Sequence, residues 1–458
     1  MWDDFVNKYS SKKIMVLGLA KSGTTIAKIL TDAGAQLLVY DAKKDTAEQK
    51  ELENLGITVL TEEPPVQLLD ESCFLLVKNP GVTYDNPLVE QAIELGVPVI
   101  TEVELAGELS AAPIIGITGS NGKTTTTTLI GEILNYANNN AVVAGNIGTV
   151  LAGAAREITA KQLLVAELSS FQLKGTINFH PWIAILLNIY PAHLDYHHGI
   201  DDYIVSKSKL FVNQTANDYA IFNKNCDRCC EISQNVRSQK YYFSTTGRNS
   251  ITQGAYIEQG VVYFINGAET VKIIDLTETR MRGAHLENLL AAVIATRLAG
   301  VDFEAIRTVL RSFKGVEHRI EYVLCTDENI SFYNDSKSTN VQATITALDS
   351  FDEPVILLAG GLDRKIGFAD LTEHFQTSVK ALIVYGETAE ELAQVGKNAG
   401  VAIVYSVNSL EAAVATAISV AQAGDNVLLS PAAASWDMFS SFEERGNLFK
   451  ELVRRHYN

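Results

Sequence analysis

Pro113-Ile114-Ile115-Gly116-Ile117-Thr118-Gly119-Ser120-Asn121-Gly122-Lys123-Thr124-Thr125 is the stretch that decides how this chain reads. An apolar strand signal runs into two glycines, a lysine and a threonine-rich segment of helical type. Glycines in such a corner let backbone N–H groups turn inward and cradle phosphate oxygens. The amides at the start of the following helix add positive potential. Lys123 can neutralise terminal phosphates, and the Thr124 hydroxyl can ligate Mg²⁺. The strict P-loop pattern has glycine at position 117, where this chain has isoleucine. The Gly-Lys-Thr end in a strand–helix context still assigns Gly119, Ser120, Asn121, Gly122, Lys123, Thr124 and Thr125 to binding ATP or GTP.

Further along, Leu163-Leu164-Val165-Ala166-Glu167 is another strand, and Glu167 closes it. A carboxylate at the C-terminal end of a strand beside such a loop is a natural Mg²⁺ ligand. After the strand Ile183–Asn188 comes Tyr190-Pro191-Ala192-His193-Leu194-Asp195-Tyr196-His197, in which His193 is a candidate ligand of a second metal ion. Tyr203–Phe211 has helical character, and composition alone makes its lysines a solvated face. A helix is expected from His285 through Ala295.

Before this region, Lys13–Gly18, Leu37–Asp41 and Cys73–Val77 alternate with helical spacing, a βαβ pattern with a parallel sheet. The corner Gly18-Leu19-Ala20-Lys21-Ser22-Gly23 departs from the dinucleotide fingerprint at Ala20. Asp41 stands where a ribose-binding acid would be, so a nucleotide-type ligand is expected here. Beyond Phe313-Lys314-Gly315 a third α/β unit begins, with strands near 355–359, 381–385 and 426–430. It carries His318-Arg319, Asn334-Asp335-Ser336-Lys337-Ser338-Thr339-Asn340, Gly360-Gly361-Leu362-Asp363-Arg364-Lys365 and Ser430-Pro431-Ala432-Ala433-Ala434-Ser435-Trp436-Asp437-Met438-Phe439, then Phe442 and Arg445-Gly446. Each loop follows a strand signal, where open α/β sheets bind ligands. Singly each could be a capped turn; together they favour a second ligand site.

The composition sets limits. The chain has 458 residues, with 47% hydrophobic and 20% charged, the make-up of a multidomain globular protein. A net charge of −17 argues against nonspecific binding to nucleic acid or anionic lipid. No run of about 18 apolar residues points to membrane insertion. Met1-Trp2-Asp3-Asp4-Phe5 lacks the basic flank and apolar stretch of a secretion signal, so a cytoplasmic protein is expected. Five cysteines do not make a disulfide framework. Cys226, Cys229 and Cys230 lack the second pair that a structural zinc site usually adds, and read as reduced thiols.

The motifs at 118–124, Gly145-Asn146-Ile147-Gly148, Glu167-Leu168-Ser169-Ser170-Phe171-Gln172-Leu173, His193–His197 and Asn334–Asn340 together resemble the ATP-dependent Mur ligases, whose core folylpolyglutamate synthases share. The segment Ser430–Phe439 with Phe442 and Arg445-Gly446 is similar to that of the D-glutamate-adding members. The resemblance covers essentially the whole chain, with the motifs in the family's order.

That resemblance implies an α/β fold with three domains: a Rossmann-like UDP-substrate domain over 1–101, a P-loop-type ATPase domain over 102–315 and a Rossmann-like amino-acid-binding domain over 316–458. It implies a reaction that joins D-glutamate to UDP-N-acetylmuramoyl-L-alanine through an acyl phosphate, a step in peptidoglycan precursor synthesis. The implied cofactors are ATP and two Mg²⁺ ions, with Thr124 and Glu167 on the first and His193 and a carbamylated Lys207 on the second. Lys123, His193, Lys207 and Lys337 are the implied catalytic groups. By the same resemblance, Asn288, Arg319 and Asp335 contact ATP, and Asn146 positions the muramoyl substrate. Thr339, Lys365, Ser435 and Phe442 surround D-glutamate, while Gly18, Leu19, Asp41, Asn79 and Gly81 match the uridine-nucleotide loops. The gap after His193 leaves Lys207 and Lys209 both open; the four-residue step from Tyr203, as in the family pattern, selects Lys207. Gly283-Ala284-His285-Leu286-Glu287-Asn288 is one residue shorter than the family's motif, which leaves His285 without an assigned role. The alternatives are a related ligase with another amino acid or acceptor, or a nucleotide-binding module without chemistry. A dinucleotide-dependent oxidoreductase would leave the phosphate loop idle.

Overall fold

Continuous apolar runs such as Val355–Gly360 become strands buried on both faces, because parallel sheets are covered by helices on each side. A computed structural model describes residues 1–62, 64, 66–191, 194–283, 285–351, 353–365 and 367–457, without the side chains of Leu194 and Asp195. Among these residues the strands form three sheets.

The first sheet is wholly parallel. It contains β1 (Lys13–Leu17), β2 (Gln36–Tyr40), β3 (Val59–Leu60), β4 (Leu75–Lys78) and β5 (Val99–Ile100), in the order β3-β2-β1-β4-β5. Alternate residues of β1 serve two cores: Ile14 and Val16 pack on one face, Met15 and Leu17 on the other. The strand order reverses between β1 and β4, so the loops after these strands flank the crevice where ligands bind in such sheets. The corner after β1 is tighter than the sequence suggests, since the helix Ala20–Asp32 already begins at Ala20. A Cβ at Gly23 would lie 2.1 Å from the Gly18 carbonyl oxygen, so only glycine lets the helix sit that close to the strand end.

The second sheet contains β6 (Ile114–Thr118), β7 (Ala141–Gly145), β8 (Leu163–Glu167), β9 (Ile183–Leu186), β10 (Tyr219–Asn223), β11 (Gln239–Ser244), β12 (Gln253–Glu258), β13 (Val261–Asn266) and β14 (Glu269–Asp275). Its order is β14-β13-β12-β11-β10-β9-β6-β8-β7, with β6 between β8 and β9. The antiparallel extension β12–β14 lies outside the parallel units expected from the sequence. Its turns use Gln259 and Gly260, then Gly267, all with positive φ, and the Asn266-Gly267 pair is the hairpin signal that marks it. At the sheet centre, a Cβ on Gly116 would meet Leu210 Cδ1 at 2.9 Å. The missing side chain lets the helix Ile200–Val212 lie directly on β6.

Both sheets belong to one compact unit, Met1–Asp275 with Glu287–Val309. The other unit, Leu276–Leu286 with Leu310–Asn458, holds the third sheet. This contains β15 (Glu321–Cys325), β16 (Ser331–Asn334), β17 (Val355–Gly360), β18 (Val379–Tyr385), β19 (Ile403–Ser406) and β20 (Asn426–Leu429), in the order β15-β16-β20-β17-β18-β19. Only the β15–β16 pair is antiparallel among its described pairings. Val355, Leu357 and Ala359 face one core, Ile356 and Leu358 the other.

Candidate active site

The glycine-rich corner joins β6 to the helix Lys123–Tyr136, with Gly122 at its N-cap in the left-handed region at φ +83°. A second loop, after β9, holds it in shape. The Asn188 carbonyl accepts from Ser120 N–H at 3.0 Å. The Asn188 side-chain oxygen accepts from Asn121 N–H at 2.9 Å. These two amides are therefore engaged within the protein rather than turned toward a ligand. Ser120 Oγ donates to the Tyr190 carbonyl at 3.0 Å and lies 2.9 Å from the Tyr203 hydroxyl. Lys123 Nζ bends over the loop and donates to the carbonyls of Gly119 and Ser120, both at 2.8 Å. Asn288, on the helix His285–Leu298, accepts from Thr126 Oγ1 at 3.2 Å. A Cβ on Gly122 would lie 2.1 Å from that Asn288 oxygen. Thr124 and Thr125 are buried in the first helical turn.

Glu167 ends β8 with its side chain buried. One carboxylate oxygen accepts from Asn146 Nδ2 at 2.9 Å, and the Glu167 carbonyl accepts from Asn146 N–H at 2.9 Å. The other carboxylate oxygen is buried and has no hydrogen-bond partner among the described residues. A buried anionic oxygen without a donor is costly unless a cation meets it. Glu167 pairs in register with Ile117 on β6, and Thr124 follows the loop after β6; both offer hard oxygens of the kind Mg²⁺ takes. The residues present therefore fit this ion.

Lys207 and Lys209 separate cleanly. Lys207 is buried, and its amine donates to the Gly119 carbonyl at 2.8 Å and to Thr118 Oγ1 at 3.3 Å. Its Nζ also lies 4.7 Å from the centre of the Tyr203 ring. Burial, and then the charge of Lys123, hold its pKa well below the usual lysine value. Lys209 instead donates to the carbonyls of Lys174 and Thr176 at 2.5 and 3.0 Å, at the end of the helix Ser170–Lys174. His193 lies outside the described residues. His197 is fully buried, with its ring nitrogens 2.9 Å from Asp202 Oδ2 and 2.9 Å from Ser170 Oγ.

At the strand ends of the first sheet, Leu19 N–H donates to Asp41 at 2.7 Å. Asn79 donates to Ser22 Oγ at 2.9 Å and accepts from Gly81 N–H at 3.0 Å. Gly18 adopts φ +79°, and a Cβ there would crowd Asn79 Cβ at 3.0 Å. Gly18, Leu19, Asp41, Asn79 and Gly81 are thus one group. Lys78 joins this group to Tyr196 on the helix Leu194–His197, a role absent from the sequence-based expectations. Its buried amine donates to the Val82 carbonyl at 2.7 Å and to the Tyr196 hydroxyl at 2.9 Å. Burial and Lys174 push its pKa down to about 7. A lysine closing an otherwise apolar buried strand is the signal that could have found it.

In the second unit, Asp335 is buried and accepts from Ile320 N–H at 3.2 Å and Ser430 Oγ at 2.8 Å. Burial pushes its pKa up to about 6, against the lowering effect of its hydrogen bonds and of Arg319. Arg319 keeps a buried Nε without a partner among the described residues. Burial, and then Arg319, push the His285 pKa down to about 4. Three of the loops that carry the sequence motifs meet at Arg445, which is fully buried on the helix Phe442–Tyr457. Its guanidinium donates to Ser336 Oγ at 3.0 Å, to the Ser336 carbonyl at 2.9 Å, and to the Gly360 and Ala433 carbonyls at 3.2 Å. Ser336 Oγ in turn donates to the Phe442 carbonyl at 2.8 Å. Lys337 Nζ lies 5.1 Å from the Phe442 ring centre, and Thr339 N–H donates to the Lys337 carbonyl at 3.0 Å. Ser435 is buried, next to Ala434, whose carbonyl accepts from Leu362 N–H at 2.8 Å. Lys365 is 86% exposed, paired with Asp363 and carried on a positive φ.

Sequence models of the Mur ligase MurD-like N-terminal domain, the Mur ligase middle domain and the Mur ligase glutamate ligase domain match residues 12–101, 117–296 and 318–433. The chain belongs to the Mur ligase family. Among the Mur ligases it is most usefully set beside the UDP-N-acetylmuramoylalanine–D-glutamate ligase of Geobacillus kaustophilus, 48% identical over 98% of both chains. The protein of that name from Bacillus cytotoxicus is 47% identical over 98% of this chain and 99% of its own. The fold is shared with MurF from Acinetobacter baumannii (TM-score 0.57, 17% identity, 97% of this chain and 91% of that one). It is also shared with the UDP-N-acetylmuramate–alanine ligase MurC of Thermotoga maritima (TM-score 0.56, 17% identity, 97% and 99%).

Proposed function

We infer that this chain performs the reaction its relatives are named for, joining D-glutamate to UDP-N-acetylmuramoyl-L-alanine with consumption of ATP, and that it does so in the cytoplasm. One observation carries the chemistry. Beside the phosphate loop, on the strand paired with β6, stands a buried carboxylate with an orphaned oxygen, Glu167, and a buried lysine whose pKa is lowered by burial, Lys207, donates to the Gly119 carbonyl of the loop itself.

A carboxylate is a poor electrophile, so the alanine carboxylate is first phosphorylated by ATP. The amine of D-glutamate then attacks the acyl phosphate, and the tetrahedral intermediate collapses to the amide with loss of phosphate. Several anions must converge, and fixed cationic groups stabilise the charge they share. Lys123 supplies one such charge at the terminal phosphates, and Lys337 another. Bound Mg²⁺ neutralises phosphate charge and orients the transferring group. Thr124 and Glu167 would hold the first ion, and His193 and Lys207 the second. Asn288, Arg319 and Asp335 contact ATP, with Gly119, Ser120, Asn121, Gly122 and Thr125 shaping its phosphate site. Asn146, fixed on Glu167, positions the muramoyl substrate. Gly18, Leu19, Asp41, Asn79 and Gly81 take the uridine nucleotide, and Thr339, Lys365, Ser435 and Phe442 the D-glutamate. The roles divide over three domains, 1–101, 102–315 and 316–458.

Lys207 acts as a carbamate. As an ammonium it would repel Mg²⁺; as a neutral amine it adds to CO₂, releases a proton and becomes an oxygen ligand. The test has two arms. Phosphate release is measured with UDP-N-acetylmuramoyl-L-alanine across a panel of D- and L-amino acids, and is expected only with D-glutamate. Lys207→Ala is expected to be nearly inactive and to regain part of its turnover with a small added carboxylate. Full activity in Lys207→Ala, with loss in Lys209→Ala, would show the role assigned to the wrong lysine.

A further inference from the structure

The ligase reading gives Lys78 no part in the reaction, yet its side chain is fully buried. It ends β4, and its amine folds back over the four residues that follow. Nζ donates to the Val82 carbonyl at 2.7 Å and lies 3.4 and 3.5 Å from the carbonyls of Asn79 and Pro80. Val82 N–H donates to the Asn79 carbonyl at 3.0 Å, so the 79–82 turn closes around the amine. The fourth oxygen is the Tyr196 hydroxyl, at 2.9 Å, which itself donates toward the Pro80 and Val82 carbonyls at 3.0 and 3.2 Å. The Tyr196 ring is fixed in turn, with Phe171 edge-on and the ring centres 4.3 Å apart.

We propose that Lys78 is a positioning residue for the acceptor nucleotide: with Tyr196 it sets the shape of the 79–82 turn, and through it the affinity for UDP-N-acetylmuramoyl-L-alanine. This rests on the reading that Gly18, Leu19, Asp41, Asn79 and Gly81 take the uridine nucleotide. Two observations carry it.

The first is where the turn lies. A Cβ on Gly18 would meet Asn79 Cβ at 3.0 Å and Val82 Cγ2 at 3.1 Å, so the two ends of the turn form the wall of the Gly18 corner. From that wall the Asn79 amide reaches Ser22 Oγ at 2.9 Å and the Leu19 carbonyl at 3.3 Å. Displacing Val82 therefore displaces the residues assigned to the nucleotide.

The second is the chemistry of the contact. All four oxygens around Nζ are neutral, and a charge buried among neutral groups is costly. An apolar side chain of similar length would fill the space without that cost. The charge thus serves the shape of the turn and not the stability of the fold.

The surrounding groups make the contact sensitive to pH. The Tyr84 ring has Lys78 Nζ 4.8 Å and Lys174 Nζ 4.6 Å from its centre. Lys174 pairs with Asp202 at 2.6 Å, and Asp202 also meets His197 Nδ1 at 2.9 Å. Burial, and then Lys174, bring the Lys78 pKa down to about 7. The charged amine donates more strongly than the neutral one, so the turn is held below that pH and loosens above it.

The test measures the Kd of UDP-N-acetylmuramoyl-L-alanine and of ATP by titration calorimetry, with the melting temperature, for the full chain as wild type, Lys78→Met and Tyr196→Phe. Lys78→Met is expected to raise the Kd of the acceptor about tenfold, the size of one charge-assisted bond, with the Kd of ATP unchanged and the melting temperature unchanged or higher. Tyr196→Phe keeps the bond from Lys78 to Val82 and is expected to raise the acceptor Kd about threefold. The wild-type acceptor Kd is expected to rise severalfold as pH passes about 7, and that of Lys78→Met to stay flat. An unchanged acceptor Kd in both variants overturns the proposal and leaves the nucleotide site standing. A parallel rise in both Kd values, or a lower melting temperature in Lys78→Met, makes the lysine merely structural and overturns it too. Wild type that does not bind the acceptor overturns the nucleotide site itself, and the proposal with it.

Discussion

Gly122→Ala isolates what shapes the phosphate loop. Two costs add. Gly122 sits at φ +83°, where an L-residue costs about 1–2 kcal/mol. The new Cβ would also lie 2.1 Å from Asn288 Oδ1, closer than any real contact, so the Asn288 side chain must rotate away. That move breaks the 3.2 Å bond from Thr126, worth about 1 kcal/mol. The expected total is about 2–3 kcal/mol, a fall of about 5 °C in the melting temperature of the unit that contains the loop. Thermal unfolding of wild type, Gly122→Ala, Asn288→Ala and the double variant separates the terms. In the Asn288→Ala background the obstacle and the bond are already gone, so Gly122→Ala is expected to cost only its backbone share. The coupling between the two sites is then about 1 kcal/mol. An equal cost of Gly122→Ala in both backgrounds would refute the contact argument, and a cost under about 0.5 kcal/mol would refute the backbone argument as well.

Two further outcomes are expected elsewhere in the fold. Glu102 is buried, accepts from Ala152 N–H at 2.9 Å and Gln172 Nε2 at 3.3 Å, and has its pKa pushed by burial from 4.5 up to about 7. The folded chain keeps this proton between those values while the unfolded chain releases it, so the contribution of this group to stability is greatest below pH 4.5 and falls as pH rises toward 7. The contribution is about 3 kcal/mol, and denaturant melts of Glu102→Gln are expected to lack it; parallel pH profiles would count against it. Arg445→Met leaves the carbonyls of Ser336, Gly360 and Ala433 buried without their donor. A loss of at least about 4 kcal/mol in the unit carrying Arg445 is expected by calorimetry, and a change below about 1 kcal/mol would show that the loops do not depend on it.

Much of the architecture is legible in the sequence because it is local. Lys13–Leu17, Leu163–Glu167 and Val355–Gly360 are apolar runs with turn residues behind them, and each is a strand with a largely buried run of side chains. The glycine-rich corner, Glu167 at a strand end and the loops around Asp335 and Ser435 are readable as residue types in characteristic spacing. The β12–β14 extension carries a weaker signal: Asn266-Gly267 marks its second hairpin, but its strands stand apart from the strand–helix alternation around them.

Strand period, glycine placement and charged groups at strand ends are properties of neighbouring residues, so the fold class, the order of the loops and the chemistry they carry were already set in the amino-acid order. The family resemblance had already selected Lys207 over Lys209, but the different surroundings of these two lysines, two residues apart on one helix, needed the packed chain. Leu210 packing onto Gly116 turns Lys207 toward the Gly119 carbonyl and leaves Lys209 to cap another helix. Packing likewise makes Asn188 the holder of the loop amides, bridges Lys78 to Tyr196, and gives Arg445 its ties to loops at positions 336, 360 and 433. The reason is physical. These groups act through burial and long-range hydrogen bonds, and neither exists until the sheets and helices have packed.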